Sequence, residues 1–340
     1  MFGVVICAYS EERWEQLAEA VRSVAAQTLP AREIVVVIDH NERLLARARA
    51  ALTGALVLAS TGRPGLSGAR NTGLHAVHGE LVAFLDDDAH AAPDWLGELA
   101  RAFADERVLG AGGWIEPRWE GPRPRWLASE LYWIVGCSYR GLPSAGAELR
   151  NPIGANMAFR RAALLALDGF QEDVGRVGER PLGDEETQLG IEAHARWPTA
   201  RIVHVPAARV GHAVPPRRAS WRYLLVRCWS EGRSKAQLAG NVGAPAALAS
   251  ERRYAARVLP AGAYRGLRDG LQGDLTGFAR AAGILTALGV TALGYAAGRL
   301  TSARRAPSRR PSGPATVWRR SALHPRCRRP RGRGPGRSGG

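Results

Sequence analysis

The stretch Gly79-Glu80-Leu81-Val82-Ala83-Phe84-Leu85-Asp86-Asp87-Asp88 decides the fold. Its apolar run reads as a strand over Glu80 to Leu85 that is buried on both faces, the mark of a parallel sheet covered by crossover helices. Sheets of that kind bind ligands at the carboxyl ends of their strands, where Asp86, Asp87 and Asp88 fall. Three adjacent carboxylates repel one another unless a cation neutralises them. Hard divalent ions such as Mg²⁺ or Mn²⁺ suit oxygen ligands and bridge diphosphates. A solvated turn is the other reading, because Asp also favours turns.

Outward from this strand the same pattern repeats. Gly3 to Tyr9, Ile34 to Ile38 and Ala55 to Ala59 read as buried strands. Ser10 is placed to cap a helix whose apolar positions are Trp14, Leu17, Ala18, Val21 and Ala25. A loop with Gly62, Pro64, Gly65 and Gly68 precedes a short helix from Ser67 through Val77. Asp39, at the end of the second strand, and Ala8-Tyr9-Ser10-Glu11, at the end of the first, would line the edge that carries the aspartates. An Asp there can accept a hydrogen bond from a base or ribose, and Arg70 and Asn71 add donors. Downstream, Val108 to Ile115 reads as a strand, Trp119 to Gly146 as a flap or insertion, and Arg160 to Leu167 and Glu185 to Ala195 as helices. His204 reads as an interior strand residue. His212 falls after the last strand with Arg217 and Arg218, where it could join a metal site or meet a diphosphate; a structural His is the competing reading.

The net charge of +16 is unevenly placed: twelve arginines and no acid lie in 301–340, leaving +4 over residues 1–300. The Arg/Pro/Gly/Ser-rich tail cannot build a core and is expected to be disordered. It raises nucleic-acid binding as a rival function, disfavoured because no basic residues interleave with aromatics on a recognisable motif. Dinucleotide oxidoreductase chemistry is disfavoured because the first strand-to-helix turn has no glycine fingerprint. Cys7, Cys137, Cys228 and Cys327 form no CxxC pair, which fits a reducing compartment. The N-terminus runs straight into Val4-Val5-Ile6, so no cleaved signal is expected. Ala281 to Gly298 carries no charge; a buried helix, an interfacial helix and a short span all satisfy its composition. The basic tail after it favours contact with an anionic membrane surface.

Val4 to Glu12, Arg70-Asn71-x-Gly73, Gly79 to Asp88 and Glu185-Glu186-Thr187-Gln188-Leu189, in that order, resemble family 2 glycosyltransferases over roughly residues 3 to 235. The resemblance implies an α/β GT-A fold, that is, a Rossmann-like sheet of the nucleotide-diphospho-sugar transferase type with a helical C-terminal extension. Four parts are expected: by the resemblance a GT-A domain over 1–215, and by composition a helical extension over 216–270, an apolar helix over 271–300 suited to membrane association, and the tail over 301–340. It further implies a UDP- or GDP-sugar donor, an Mg²⁺ or Mn²⁺ cofactor and inversion at the anomeric carbon. By the same resemblance Ala8, Tyr9, Glu11 and Asp39 serve the donor, Asp86 faces the ribose with Asp87 nearby, and Asp88 holds the metal; from their places at the edge, Arg70 is added to the donor set and Asp86 and His212 to the metal set. The family's Glu-Asp pair before a helix corresponds here to Glu185-Glu186, a departure in residue type. Glu186 inherits the role of catalytic base, with Asp184 and Glu185 as rivals. An acidic first turn complementing the helix dipole is the structural alternative.

The chemistry needs such a group, since a sugar hydroxyl attacks at neutral pH only if a base takes its proton. Asn156, in Gly154-Ala155-Asn156, and Trp133 resemble acceptor-side elements. Tyr132 to Cys137, Arg150 through Arg161 and Trp221 to Lys235 resemble transferases acting on sugar-charged dolichyl phosphate, including glucuronosyl-adding ones. The acceptor so implied is a glycan or lipid-linked sugar in cell-envelope synthesis, at the cytoplasmic face of the membrane, with Arg222, Arg227 and Lys235 near headgroups. No specific nucleic acid is expected. A non-catalytic sugar-nucleotide binder is the remaining alternative.

Overall fold

The computed structural model describes residues 1–173 and 183–303. Eight strands form one mixed sheet: β1 Phe2–Ala8, β2 Glu33–Ile38, β3 Leu56–Ala59, β4 Leu81–Asp86, β5 Ala89–Ala91, β6 Val108–Trp119, β7 Asn156–Arg160 and β8 Arg201–Val214. Their order is β3-β2-β1-β4-β7-β6-β8-β5. The first four pair in parallel, as their uninterrupted apolar runs require. β7 is antiparallel to both β4 and β6, so β6 and the parallel β8 run with β1–β4. The carboxyl ends of β1, β2, β4 and β8 therefore share one edge. β5 folds back antiparallel on β8 and pairs Ala89 with His212.

The helices are α1 Trp14–Ala25, α2 Glu42–Ala51, α3 Leu66–Ala76, α4 Trp95–Ala102, α5 Arg161–Ala166, α6 Glu185–Arg196, α7 Trp221–Val242, α8 Ala244–Ala247, α9 Ala249–Arg253, α10 Leu259–Leu271 and α11 Thr276–Ala303. On one face of the sheet Val4, Ile6, Val36 and Ile38 meet Leu17, Val21, Leu44 and Leu45 from α1 and α2. On the other, Val5, Val35, Val37 and Phe84 meet Ala69, Leu74, Leu164 and Leu189 from α3, α5 and α6. Alternate residues of each strand thus serve opposite cores.

Several expected details change. Ser10 makes no side-chain cap; it precedes a 3₁₀ turn, Glu11–Arg13, and α1 begins at Trp14. Ala25 is exposed, and Val24 takes the inward place. β6 runs on to Trp119, and the expected flap is tied down by a 3₁₀ segment, Ser129–Val135, whose Leu131, Ile134 and Val135 are core residues. His212 lies within β8, not after it.

The C-terminal helices share that core: Leu224 and Cys228 of α7, Leu259 and Ala263 of α10, and Ile284 and Ala287 of α11 join the cluster containing Leu131 and Ile134. α7 and α11 approach closely, since a Cβ on Gly232 would lie 2.2 Å from the Thr291 carbonyl and one on Gly294 2.4 Å from that of Trp229. Cys7, Cys137 and Cys228 are free thiols. Cys327 and nearly all of the Arg-rich tail lie outside the described residues.

Candidate active site

β4 delivers Asp86 to the sheet edge, and the short reversal into β5 turns Asp87 and Asp88 inward, where both are buried. Because β5 pairs with β8, His212 stands beside Asp88, with Nε2 to Oδ1 at 3.0 Å. Ligating atoms of Asp86, Asp88 and His212 all lie within 4.8 Å of one another. Arg13 Nη1 reaches Asp87 at 2.9 Å and Asp88 at 3.2 Å, and Arg218 reaches Asp88 at 3.6 Å. Burial lifts Asp87 to about 7 against the pull of Arg13. Burial also opposes ionisation of Asp88, but His212, Arg13 and Arg218 outweigh it and hold that carboxyl well below the ordinary range. Burial works against charge on His212, while Asp88 lifts it to about 10. Two carboxylates and one imidazole suit a divalent cation. An entering cation would take the place of the His212 proton, because an imidazole ligates when neutral. Asp87 Oδ2, beside the same cluster, is buried and has no hydrogen-bond partner among the described residues.

Ala8, Tyr9, Asp39, Asp86 and Asp87 line one cavity of about 50 Å³ together with Cys7 and Arg13. Asp39 is fixed there by the amide of Gly65, 2.9 Å away. Two expected donor residues stand elsewhere. Glu11 is exposed on the 3₁₀ turn, outside this lining. Arg70 is buried and joins Asp86 (3.6 Å) to Glu185 (3.0 Å). Asn71 holds the backbone of Phe170 with both ends of its amide. Arg13 was missed because its partners lie more than seventy residues away.

The three acids at the start of α6 have different surroundings. Asp184 is buried, has φ +83°, and meets Lys235 of α7 at 2.5 Å. Burial pushes it to about 6, with Lys235 opposing. Glu185 is buried against Arg70, and burial, reinforced by Glu186, pushes it to about 8. Glu186 is half-buried; its Oε1 accepts from the Gly154 amide at 3.0 Å, and the residue lines a second cavity of about 280 Å³ with Asp184, Trp133, Arg227 and Lys235. Gly154 is required here, since a Cβ would lie 2.4 Å from Arg70 Nη2 and 2.6 Å from Glu186 Oε1.

Asn156 does not face that cavity. It is fully buried, accepts from Trp95 Nε1 at 2.7 Å and donates to the carbonyls of Trp114 and Ala208. It fastens β7 to its surroundings and, with no exposed surface, stands out of reach of an acceptor. Arg227 and Lys235 turn inward to Glu231, Asp184 and Glu251 rather than outward to headgroups. Arg217 is exposed, and His204 is buried in β8 against the Pro143 carbonyl.

A mixed sheet whose carboxyl edge gathers a small cleft lined by Asp39, Asp86 and Asp87, an acidic metal-type cluster and a separate carboxylate in a larger cavity fits the GT-A class of sugar transferases. The fold agrees with that of a mannosyltransferase from Pyrobaculum calidifontis solved with GDP-Man and Mn²⁺, at a TM-score of 0.52 and 22% identity over 85% of this chain and 86% of that one. Residues 3–167 match the model of glycosyl transferase family 2. The chain is 32% identical over 237 residues to the glucosyl-dolichyl phosphate glucuronosyltransferase of Haloferax volcanii, covering 68% of this chain and 75% of the relative. It is 31% identical over 245 residues to the succinoglycan biosynthesis protein ExoM of Rhizobium meliloti, covering 68% and 73%. The chain belongs to glycosyl transferase family 2 and is a hexosyl-type glycosyltransferase.

Proposed function

We propose that the protein transfers a sugar, with inversion, from a UDP- or GDP-sugar to a hydroxyl of a lipid-linked sugar. The observation that carries this reading is the position of Glu186: of the three acids at the start of α6 it alone is half-buried, and of the two that line the cavity of about 280 Å³, Asp184 is buried and paired with Lys235. Arg70 ties its helix turn to Asp86. Ala8, Tyr9, Asp39 and Asp87 hold the nucleoside, and Asp86, Asp88 and His212 hold Mg²⁺ or Mn²⁺. The cation supplies Lewis-acid stabilisation to the departing diphosphate. Trp133 offers an apolar face to the acceptor ring, and Glu186 takes the proton of the attacking hydroxyl. Attack from the face opposite the diphosphate inverts the anomeric centre.

The relative named for glucosyl-dolichyl phosphate supports a lipid-linked acceptor, and so does the surface. Trp221, Leu225 and Trp229 of α7, Leu267 and Leu271 of α10, and Leu285, Leu293 and Leu300 of α11 are all exposed. Thr276–Thr301 is long and apolar enough to cross a membrane, but a third of its most apolar window is buried in the protein. Its close packing on α7, which carries Arg222, Glu231 and Lys235, favours a helix lying in the interface over a span. We assign this surface to the cytoplasmic face of the membrane and the product to cell-envelope glycan. The test is transfer from UDP- and GDP-sugars with Mn²⁺ to a glycosyl polyprenyl phosphate, with the anomeric configuration of the product read by NMR. An inverted linkage is expected; a retained one would overturn the mechanism.

A further inference from the structure

A third cavity, of about 380 Å³, lies between residues 123–130 and helices α10 and α11 and shares no lining residue with the two cavities above. Arg123, Arg125, Arg140, Arg265 and Arg280 converge on it from separate stretches of chain. Buried Glu130 takes the Arg265 guanidinium and stands 3.9 Å from Arg140. Arg280 bridges Asp269 (2.9 Å) and Asp274 (3.0 Å), and Arg125 reaches Asp274 at 3.5 Å. Arg123 makes no ion pair among the described residues and lies 5.9 Å from the Tyr132 ring centre. Among the described residues five guanidinium groups thus meet three carboxylates, a surplus of two positive charges at a surface where Arg123 and Arg140 are exposed. Gathering like charges is unfavourable unless an anion joins them, and guanidinium forks match phosphate oxygens with paired hydrogen bonds.

The surroundings name the kind of phosphate. Trp126, next to Arg125, stacks on the exposed Trp221 at 4.5 Å, and Leu271, Leu275 and Phe278 are exposed around the α10–α11 turn beside Arg280. A phosphate ester held by the arginines would have its apolar substituent on these side chains. We infer that this cavity is a binding site for the phosphate ester of an anionic lipid, separate from the transfer site. The phosphate part rests on the arginines, and the lipid part rests on the membrane-surface reading above.

The test compares the full chain with Arg123→Gln/Arg140→Gln, two positions with no ion pair shorter than 3.9 Å, and with a control of equal charge change, Arg101→Gln/Arg107→Gln, on the sheet domain. Sedimentation with phosphatidylcholine vesicles, with and without phosphatidylglycerol, should show binding that depends on phosphatidylglycerol. The cavity variant should bind about 30-fold more weakly and the control should be unchanged. Thermal melting with water-soluble glycerol phosphate separates the two parts. Stabilisation of the wild type but not of the cavity variant, without vesicle binding, would keep the phosphate site and remove the membrane reading. Equal losses in both variants, or no response to either probe, would overturn the site.

Discussion

Replacing Lys235 with Met should destabilise the protein and disturb turnover without touching donor binding. The Lys235 ammonium is buried and meets Asp184 at 2.5 Å, Glu251 at 2.9 Å and Glu231 at 3.4 Å. Burial works against its charge, yet the three acids outweigh it and hold it above the usual lysine range. Met keeps the stem and removes the charge, leaving Arg150 for Glu251, Arg227 for Glu231 and nothing comparable for Asp184. Breaking a buried ion pair from one side costs about 3–5 kcal/mol. Asp184 already sits at about 6, so it can take up a proton near neutrality, which puts the loss near the lower figure. At about 1.5–2 °C per kcal/mol for roughly 300 folded residues, the Tm should fall by roughly 4–6 °C. Adding Asp184→Asn should recover part of it, with a coupling of about 1–3 kcal/mol. Thermal unfolding by circular dichroism reads the cycle. Calorimetric titration with UDP or GDP and Mn²⁺ should be unchanged, while turnover falls because the first turn of α6 carries Glu186. A single variant melting within about 2 °C of wild type, or a double variant with simply additive losses, would refute the clamp.

Two further outcomes follow from the acid clusters. Asp88→Asn removes a ligand charge, so metal-dependent nucleotide binding should weaken in calorimetry by more than the ~10–100-fold that loss of an outer-shell partner costs, with little change in the absence of metal. Glu185 holds its proton up to about 8 in the folded chain against an ordinary 4.5, so between those values the native state binds one proton more than the unfolded chain. Stability therefore falls as pH rises through that window. Glu185→Gln should flatten this part of a Tm-against-pH curve and cost less than about 1 kcal/mol at pH 7; a loss of about 3–5 kcal/mol would mean an ionised pair with Arg70.

The parallel half of the sheet was legible because strands buried on both faces must be apolar throughout, as Val4 to Ile6 and Val35 to Ile38 are. β5 and β7 were not, because Ala-His-Ala and Asn-Met-Ala-Phe-Arg owe their strand state to neighbours and not to propensity. The start of α2 has a legible signal, since Asn41 caps it through its side chain. The cluster of Asp86, Asp88 and His212 could be read from residue type and order. Sequence order alone does not reveal how β5 and β8 bring His212 within 3.0 Å of Asp88. Asn156 misled because its place by the sheet edge matched an acceptor position, while its hydrogen bonds turn the other way. Arg13 and Lys235 became visible only once distant elements met.

The account turns on Glu186 as the base. The most direct measurement is single-turnover transfer by Glu186→Gln beside calorimetric titration with the donor nucleotide and Mn²⁺. The account predicts unchanged nucleotide binding and a loss of the chemical step by about 10²–10⁴-fold. Turnover near the wild-type rate would contradict it and move the base to a neighbouring carboxylate.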